Sequence, residues 1–366
     1  MRIGIPKEIK TQENRVGLTP QAVGLLTASG HRVTVELGAG LGSGYSDAEY
    51  AQAGADLADT ATTWGAEMII KVKEPQPQEI ARLRPQQLLF CYLHLAPDAG
   101  QTDGLMASGC TAIAFETVED AAGRLPLLAP MSEVAGCLAP QVGAQALHTW
   151  RGGRGVLMGG VPGVAPADVL ILGGGVVGTQ AAKVALGMGA SVTILDRDLN
   201  RLKALDAQFG GRLRTAHAGQ LASLIRQADM IVGAVLIPGA KAPHLVKRSD
   251  LAQLRPGCVL VDVAIDQGGC FETSQATTHE NPTYVVDGVV HYCVANMPGA
   301  VARTSTQALT AAVLPYAQRL ADVGWQAALT ADAGFAKGLN VHAHHIYEPN
   351  VARAQAKPLS PLAALL

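Results

Sequence analysis

"DVLILGGGVVGTQAAKVALGMGASVTILDRD", residues 168–198, decides how the chain is read. An apolar run leads into Gly173, Gly175 and Gly178, spaced G-x-G-x-x-G at the start of an Ala-rich helical pattern. A second apolar run, "SVTILD", then ends in Asp196. Strand, glycine turn and helix in that order make an anion site: the glycines permit a tight turn and close approach of a pyrophosphate, and the free N–H groups of the helix favour its charge. Asp196 stands 23 residues beyond Gly173, close to the ~20 expected of the carboxylate that binds an adenine ribose. A carboxylate there repels a 2′-phosphate, so NAD is expected over NADP, with Arg197 beside it as the opposing feature.

The 366 residues suggest two domains, at about 150 residues each. Hydrophobic residues make up 48% of the chain but aromatics only 4%, an aliphatic surplus that suits buried parallel sheets covered by helices. A net charge of −2 supplies no basic field for nucleic acid or an anionic membrane, which leaves a small-molecule partner. The six cysteines form no C-x-x-C pair and read as reduced, buried thiols of a cytoplasmic protein. "MRIGIPKEIKTQENR" has no apolar core of a signal peptide, and the long weakly charged stretch at 155–178 is too rich in Gly and Pro, and interrupted by Asp168, to span a membrane. The loop "RGGRGVLMGGVPGVAP" lacks the Gly-Lys-Ser/Thr ending of a P-loop.

Apolar runs at 2–6, 31–38, 68–73, 88–94 and 111–117 read as strands, as do 168–172, 191–195, 230–235 and 258–263, with two more near 284–294. Helices fall between them. Thr19 and Pro20 start one that Gly30 can stop, Ser46 and Glu49 have capping-box spacing for another, and a long helix is expected at 132–149 with a kink at Pro140. The alternation predicts an α/β fold of two doubly wound parallel-sheet domains.

Chemistry-bearing residues fall at strand ends, the edge where such sheets bind ligands. His94 ends the apolar run "QLLFCYLHLAP", and Arg15 and Lys73 also follow strand-like runs. Singly, His94 reads as a satisfied core histidine and the two cations as solvated surface charges; together they form the set a small 2-oxo or 2-amino acid needs. Arg can grip a carboxylate with two parallel hydrogen bonds, and His can exchange protons near neutral pH. "CVLVDVAIDQGG" brings Asp262 and Asp266 to the same kind of edge, where one can face a nicotinamide; the alternative for Asp266 is a turn former before Gly268.

"RIGIPKEIKTQENRVGLTP", "KVKEP", "LHLA", "LLAPMSEVAG", "GGRGVLMGGVPGV", "VDVAIDQGG" and "VANMPGAVARTST" resemble, in order and almost end to end, the NAD-dependent L-alanine dehydrogenase family. The resemblance implies a substrate domain of residues 1–130 completed by C-terminal helices at 305–366, with a Rossmann NAD-binding domain, 131–304, inserted between them. It implies that Arg15 and Lys73 bind pyruvate or alanine, that His94 is the acid/base residue and that Asp266 is the second catalytic group. Around NAD it carries over Ser132, Gly173, Gly175, Val177, Gly178, Asp196, Arg201, Val235, Leu236, Val263 and the segment Val294 to Met297, with Asn296 and Met297 in it. Two positions depart from the family pattern: Ala218 stands where a hydroxyl is expected and Gln275 where a basic residue is, which bears on cofactor affinity. The family implies a hexamer.

Two rivals share these features. One is the NAD-binding subunit of a proton-translocating transhydrogenase, whose relatives look different at the second lysine of "KVKEP" and the histidine of "LHLA". The other is a 2-hydroxy acid dehydrogenase, which the same His, Arg and NAD logic would serve. "HAHH" places His342 and His345 three apart on an expected C-terminal helix, read as a solvated face, and no metal site is expected.

Overall fold

A computed structural model describes residues 1–235 and 243–365. The chain forms two compact units, Met1–Met131 with the chain from Val301 onward, and Ser132–Ala300. Its strands are β1 (Arg2–Ile5), β2 (Arg32–Glu36), β3 (Asp56–Ala58), β4 (Met68–Ile70), β5 (Leu88–Cys91), β6 (Thr111–Ala114), β7 (Asp168–Leu172), β8 (Ser191–Asp196), β9 (Arg214–His217), β10 (Met230–Gly233), β11 (Val259–Asp262), β12 (Thr283–Val286), β13 (Val289–Tyr292), β14 (Leu339–His342) and β15 (His345–Ile346).

In the first unit the sheet order is β15-β14-β6-β5-β4-β1-β2-β3, parallel from β6 through β3. The order reverses at β1, between β4 and β2, and ligands of open α/β sheets bind beyond the strand ends at such a switch point. Local sequence builds the elements as their composition dictates. Thr19 caps the helix Pro20–Ala28 by accepting from the Ala22 N–H, with Pro20 in its first turn, and Ser46 and Glu49 form the expected reciprocal capping box.

Several expectations are corrected. The strands expected over 68–73, 88–94 and 111–117 stop at Ile70, Cys91 and Ala114. Beyond β4 and β5 the Lys71 N–H still reaches the Phe90 carbonyl and the Tyr92 N–H the Val72 carbonyl, but the ladder then gives way to side-chain carboxylates: Glu8 takes the N–H of Val72, and Glu116 those of Leu93 and His94. The long helix runs Ala129–Ala146 rather than 132–149, since Pro130 fits its first turn. The chain after 305 is not helical throughout. His342 and His345 belong to a hairpin, β14–β15, that adds antiparallel to β6, with Ala343 and His344 in its left-handed turn. The His342 ring packs on Trp325, and its Nδ1 meets the Thr111 hydroxyl at 2.9 Å, so it covers the sheet instead of facing solvent.

In the second unit the order is β12-β13-β11-β10-β7-β8-β9, all parallel except the β12 edge. Read from β9, the parallel strands follow the Rossmann order, third-second-first-fourth-fifth-sixth. Both sheets are therefore parallel-dominated but mixed, each carrying antiparallel strand pairing at one edge. A core of Leu170, Leu172, Ile231, Leu260 and Phe271 lies against one face of the second sheet.

Candidate active site

Arg15, Lys73 and His94 follow β1, β4 and β5, neighbouring strands of the first sheet, so all three side chains start from one edge. Arg15 is 2% exposed. Its Nε donates to Glu13 Oε1 at 2.7 Å and its NH2 to Glu13 Oε2 at 2.6 Å, while NH1 lies 3.0 Å from Met131 Sδ. Burial disfavours the charged guanidinium, but the Glu13 carboxylate more than offsets this and holds its pKa above the ordinary value, with Tyr92 and Glu8 adding to the effect. Glu13 thus occupies the Nε/NH2 edge of the guanidinium with the two parallel hydrogen bonds expected of a substrate carboxylate.

The two lysines of "KVKEP" have different surroundings. Lys71 is 1% exposed and donates to Glu8 Oε2 at 2.8 Å and to the Lys73 carbonyl at 3.0 Å, with Glu79 Oε2 at 3.5 Å. Burial alone would lower its pKa; Glu8 and Glu79 reverse that and raise it. Glu8 uses its other oxygen for the Val72 N–H, at 2.6 Å. Lys71 and Glu8 therefore fix the strand end that carries Lys73. The Lys73 ammonium has neither a hydrogen bond nor an ion pair among the described residues and is 9% exposed. Its charge shows in Glu74, where burial raises the carboxyl pKa but Lys73 and Lys10 bring it below the ordinary value.

His94 has φ +50°, a left-handed conformation that costs a residue other than glycine about 1 to 3 kcal/mol. Glu116 holds the turn: its Oε1 accepts from the His94 N–H at 2.7 Å and both its oxygens from Leu93 N–H at 3.2 Å. The imidazole lies parallel to the Tyr92 ring, 5.8 Å between centroids, and Tyr92 donates to the Leu127 carbonyl at 2.6 Å. Burial raises the Tyr92 pKa and Arg15 opposes the rise. Sequence reasoning missed Glu8, Glu13, Tyr92 and Glu116. Glu8 and Glu116 act through pairings between segments, which local spacing does not reveal, while Glu13 and Tyr92 stand two residues from Arg15 and His94 with no periodic pattern to mark them.

In the second unit β7 ends in the glycine turn. Gly173 has φ +104°, and a Cβ on Gly178 would stand 1.9 Å from the Gly173 carbonyl oxygen, so only glycine lets the helix Val176–Gly187 start so near the strand. Among the described residues a Cβ on Gly175 would meet nothing within 4 Å, and no side chain caps the helix. The uncapped N–H groups beside open space at Gly175 fit a pyrophosphate. Asp196 accepts from Gly174 N–H at 2.7 Å and Asp198 N–H at 2.9 Å, and Arg201 donates to the Gly174 carbonyl and, at 2.6 Å, to the Thr179 hydroxyl. Both charged residues thus brace the glycine turn. Val235 follows β10, the neighbour of β7, and Val177 lies in the helix's first turn. Leu236 lies outside the described residues. Ser132 lies in the helix Ala129–Ala146, Ala218 directly after β9, and the Gln275 N–H donates to the Tyr284 hydroxyl at 2.7 Å.

The structure separates the two aspartates after β11. Asp262 is fully buried and accepts from the N–H groups of Ala264, Cys270 and Phe271 and from the Ser274 hydroxyl. Asp266 is exposed, and its carboxylate receives the Asn296 N–H at 3.4 Å. Val263 donates to the Gly233 carbonyl, and Met297, next to Asn296, is buried. Asp262 therefore serves the loop, while Asp266 remains accessible.

A Rossmann-ordered sheet with an uncapped glycine turn, joined in one chain to an α/β unit bearing Arg15, Lys73 and His94, defines a two-unit enzyme of the dinucleotide-binding α/β class. Residues 4–135 match the family model "Alanine dehydrogenase/PNT, N-terminal domain" and residues 139–349 match "Alanine dehydrogenase/PNT, C-terminal domain". The chain belongs to this alanine dehydrogenase/PNT family. It is 59% identical over 346 residues, 93% of each chain, to an alanine dehydrogenase of Halomonas elongata. To one of Mycobacterium tuberculosis it is 52% identical over the full length of both. Among solved structures it is similar to an L-alanine dehydrogenase (TM-score 0.94, 52% identity, 97% of this chain and 99% of that one). It is also similar to a transhydrogenase from Sinorhizobium meliloti (TM-score 0.81, 27% identity, 95% and 99%).

Proposed function

We propose that this chain catalyses the reversible, NAD-dependent oxidative deamination of L-alanine to pyruvate and ammonium. The observation that carries the reading, within this family, is the set Arg15, Lys73 and His94 in the segments that follow three neighbouring parallel strands of one sheet. Lys73 and His94 are the positions at which transhydrogenase relatives look different, and they favour the dehydrogenase. The first unit then takes the substrate and the second NAD, held at Gly173, Gly175, Gly178, Asp196 and Arg201, with Ser132, Val177, Val235, Leu236, Val263, Asn296 and Met297 completing its shell. The Asp196 carboxylate disfavours a 2′-phosphate, and the cation Arg201 is already engaged by the Gly174 carbonyl and the Thr179 hydroxyl.

NAD, when bound, accepts the hydride from the alanine α-carbon. Lys73, without a partner among the described residues, supplies positive charge for the substrate carboxylate and its neighbouring oxygen, and the Arg15 guanidinium adds its own. His94 accepts a proton from the water that adds to the iminium carbon. As the carbinolamine collapses to pyruvate, its hydroxyl proton is lost and the nitrogen leaves protonated, steps assigned to His94 and Asp266. The six thiols are free, which fits a reducing cytoplasm. Among the described residues no helix is long and apolar enough to cross a membrane. The hexamer implied by the family is the expected assembly.

The test is NADH oxidation with pyruvate, run with and without ammonium. Turnover that requires ammonium is expected. Turnover without it would instead indicate a 2-hydroxy acid dehydrogenase, and NADH binding without turnover a transhydrogenase-like module.

A further inference from the structure

We propose that Glu116 is a positioning residue for the reaction, acting through His94; the proposal rests on the reading of His94 as the acid/base residue. Glu116 follows β6 and reaches the turn after the neighbouring strand, β5. Its carboxylate receives two consecutive backbone N–H groups, those of Leu93 and His94, where the chain has left the sheet ladder and no strand carbonyl serves them. One bond holds the Tyr92–Leu93 peptide and the other the Leu93–His94 peptide against a single anion, and the second is a short, charge-assisted bond of 2.7 Å. The two anchored peptides lead directly into His94, whose φ is left-handed. That conformation is uncommon for a residue other than glycine and costs it free energy, and the bonds to Glu116 anchor the chain where it is adopted.

The consequence is a fixed origin for the imidazole. With φ held at +50°, the ring lies 7° from parallel with Tyr92, and its Nδ1 stands 4.0 Å from Glu116 Oε1. Tyr92 is itself anchored at Leu127. Glu116 thus sets the backbone of His94 while Tyr92 bounds the ring, and the remaining nitrogen is presented from a defined place. Without the tether the residue relaxes to right-handed or extended backbone and the ring leaves that position. Proton transfer depends steeply on such placement.

The experiment compares Glu116→Ala, Glu116→Gln, His94→Asn and the double variant Glu116→Ala/His94→Asn in the ammonium-dependent pyruvate assay. Asparagine tolerates the left-handed backbone, so His94→Asn removes the imidazole while leaving the tether in place. Glu116→Ala is expected to lower kcat about 100-fold with KM for pyruvate within about threefold, because Arg15 and Lys73 are untouched. Glu116→Gln, which keeps one oxygen for the His94 N–H, is expected to lose only about tenfold, a partial rescue. On the His94→Asn background, Glu116→Ala should cost nothing further, since a residue acting through His94 has nothing left to position. Full kcat in Glu116→Ala with His94→Asn inactive would overturn the proposal and leave the role of His94 standing, as would additive losses in the double variant. Near-normal turnover by His94→Asn would overturn both. If Glu116→Ala does not fold, Glu116→Gln decides: unchanged kcat overturns the proposal.

Discussion

Glu13 clasps the Nε and NH2 of Arg15, two residues further along the chain, in a buried pair with side chains 0% and 2% exposed. The pair keeps a guanidinium charged inside the protein, where burial alone would oppose it. Removing one partner of such a pair leaves a buried charge without its counterion, at a cost of about 3 to 5 kcal/mol. Glu13→Ala should lose stability on that scale in urea unfolding, together with pyruvate affinity. A variant as stable as the parent would show that Arg15 does not depend on Glu13.

The two lysines of "KVKEP" should separate cleanly. Lys71 is bound by Glu8 and lies near Glu79, so Lys71→Met strands two buried carboxylates and should destabilise by several kcal/mol. Lys73 has no internal partner among the described residues, and Lys73→Met should unfold within about 1 kcal/mol of the parent while raising KM for pyruvate at least about tenfold. Urea melts and steady-state kinetics on both variants read the two effects independently. Equal destabilisation by both would contradict the division of labour.

Two glycines of the turn make an opposed pair. A Cβ on Gly178 collides with the Gly173 carbonyl, so Gly178→Ala should lower thermal stability and NADH binding together. A Cβ on Gly175 meets no atom of the described residues beyond its chain neighbours within 4 Å. Gly175→Ala should therefore melt like the parent yet bind NADH at least about tenfold more weakly in a fluorescence titration, because the methyl fills the space proposed for the pyrophosphate. Unaltered NADH affinity would move the cofactor away from this turn.

His291 is fully buried; its Nδ1–H donates to the Val289 carbonyl at 3.0 Å and its Nε2 accepts from Thr273 at 2.7 Å, the pattern of a neutral ring. Burial lowers its pKa, with the Val289 bond opposing. The unfolded chain therefore binds more protons between the folded value and the unfolded value of about 6.5. The contribution of His291 to stability is complete above that unfolded value and is lost as pH falls through the folded one. Urea midpoints at about pH 7.5 and 5.5 should show the parent losing more stability on acidification than His291→Gln. Equal losses would remove His291 from the linkage.

Much of this was legible before any fold was known. The glycine spacing with Asp196, the run of short aliphatic segments and the caps at Thr19 and Ser46 are local signals, written within one turn or one strand–turn–helix unit. Local signals also placed Arg15, Lys73 and His94 near strand ends. They failed on edge elements such as β3, β9 and the β14–β15 hairpin, which are short and partly polar and carry no clear period. "HAHH" read as helix for that reason, although Ala343 and His344 turn the chain back on itself.

The sequence by itself determined the fold class, the glycine turn and the candidate cations, because backbone propensity and burial pattern act over a few residues. The tertiary structure decided which of two similar residues carries which role. Lys71 is a strut and Lys73 is not because Glu8, 63 residues upstream, meets only one of them. Asp262 is consumed by the loop that returns to it from Cys270 and Ser274, leaving Asp266 exposed. His94 leaves the strand because Glu116, 22 residues away, takes its N–H. Each distinction turns on which buried charge or N–H group finds a partner, and partners distant in sequence are chosen only when the sheet brings their strand ends together.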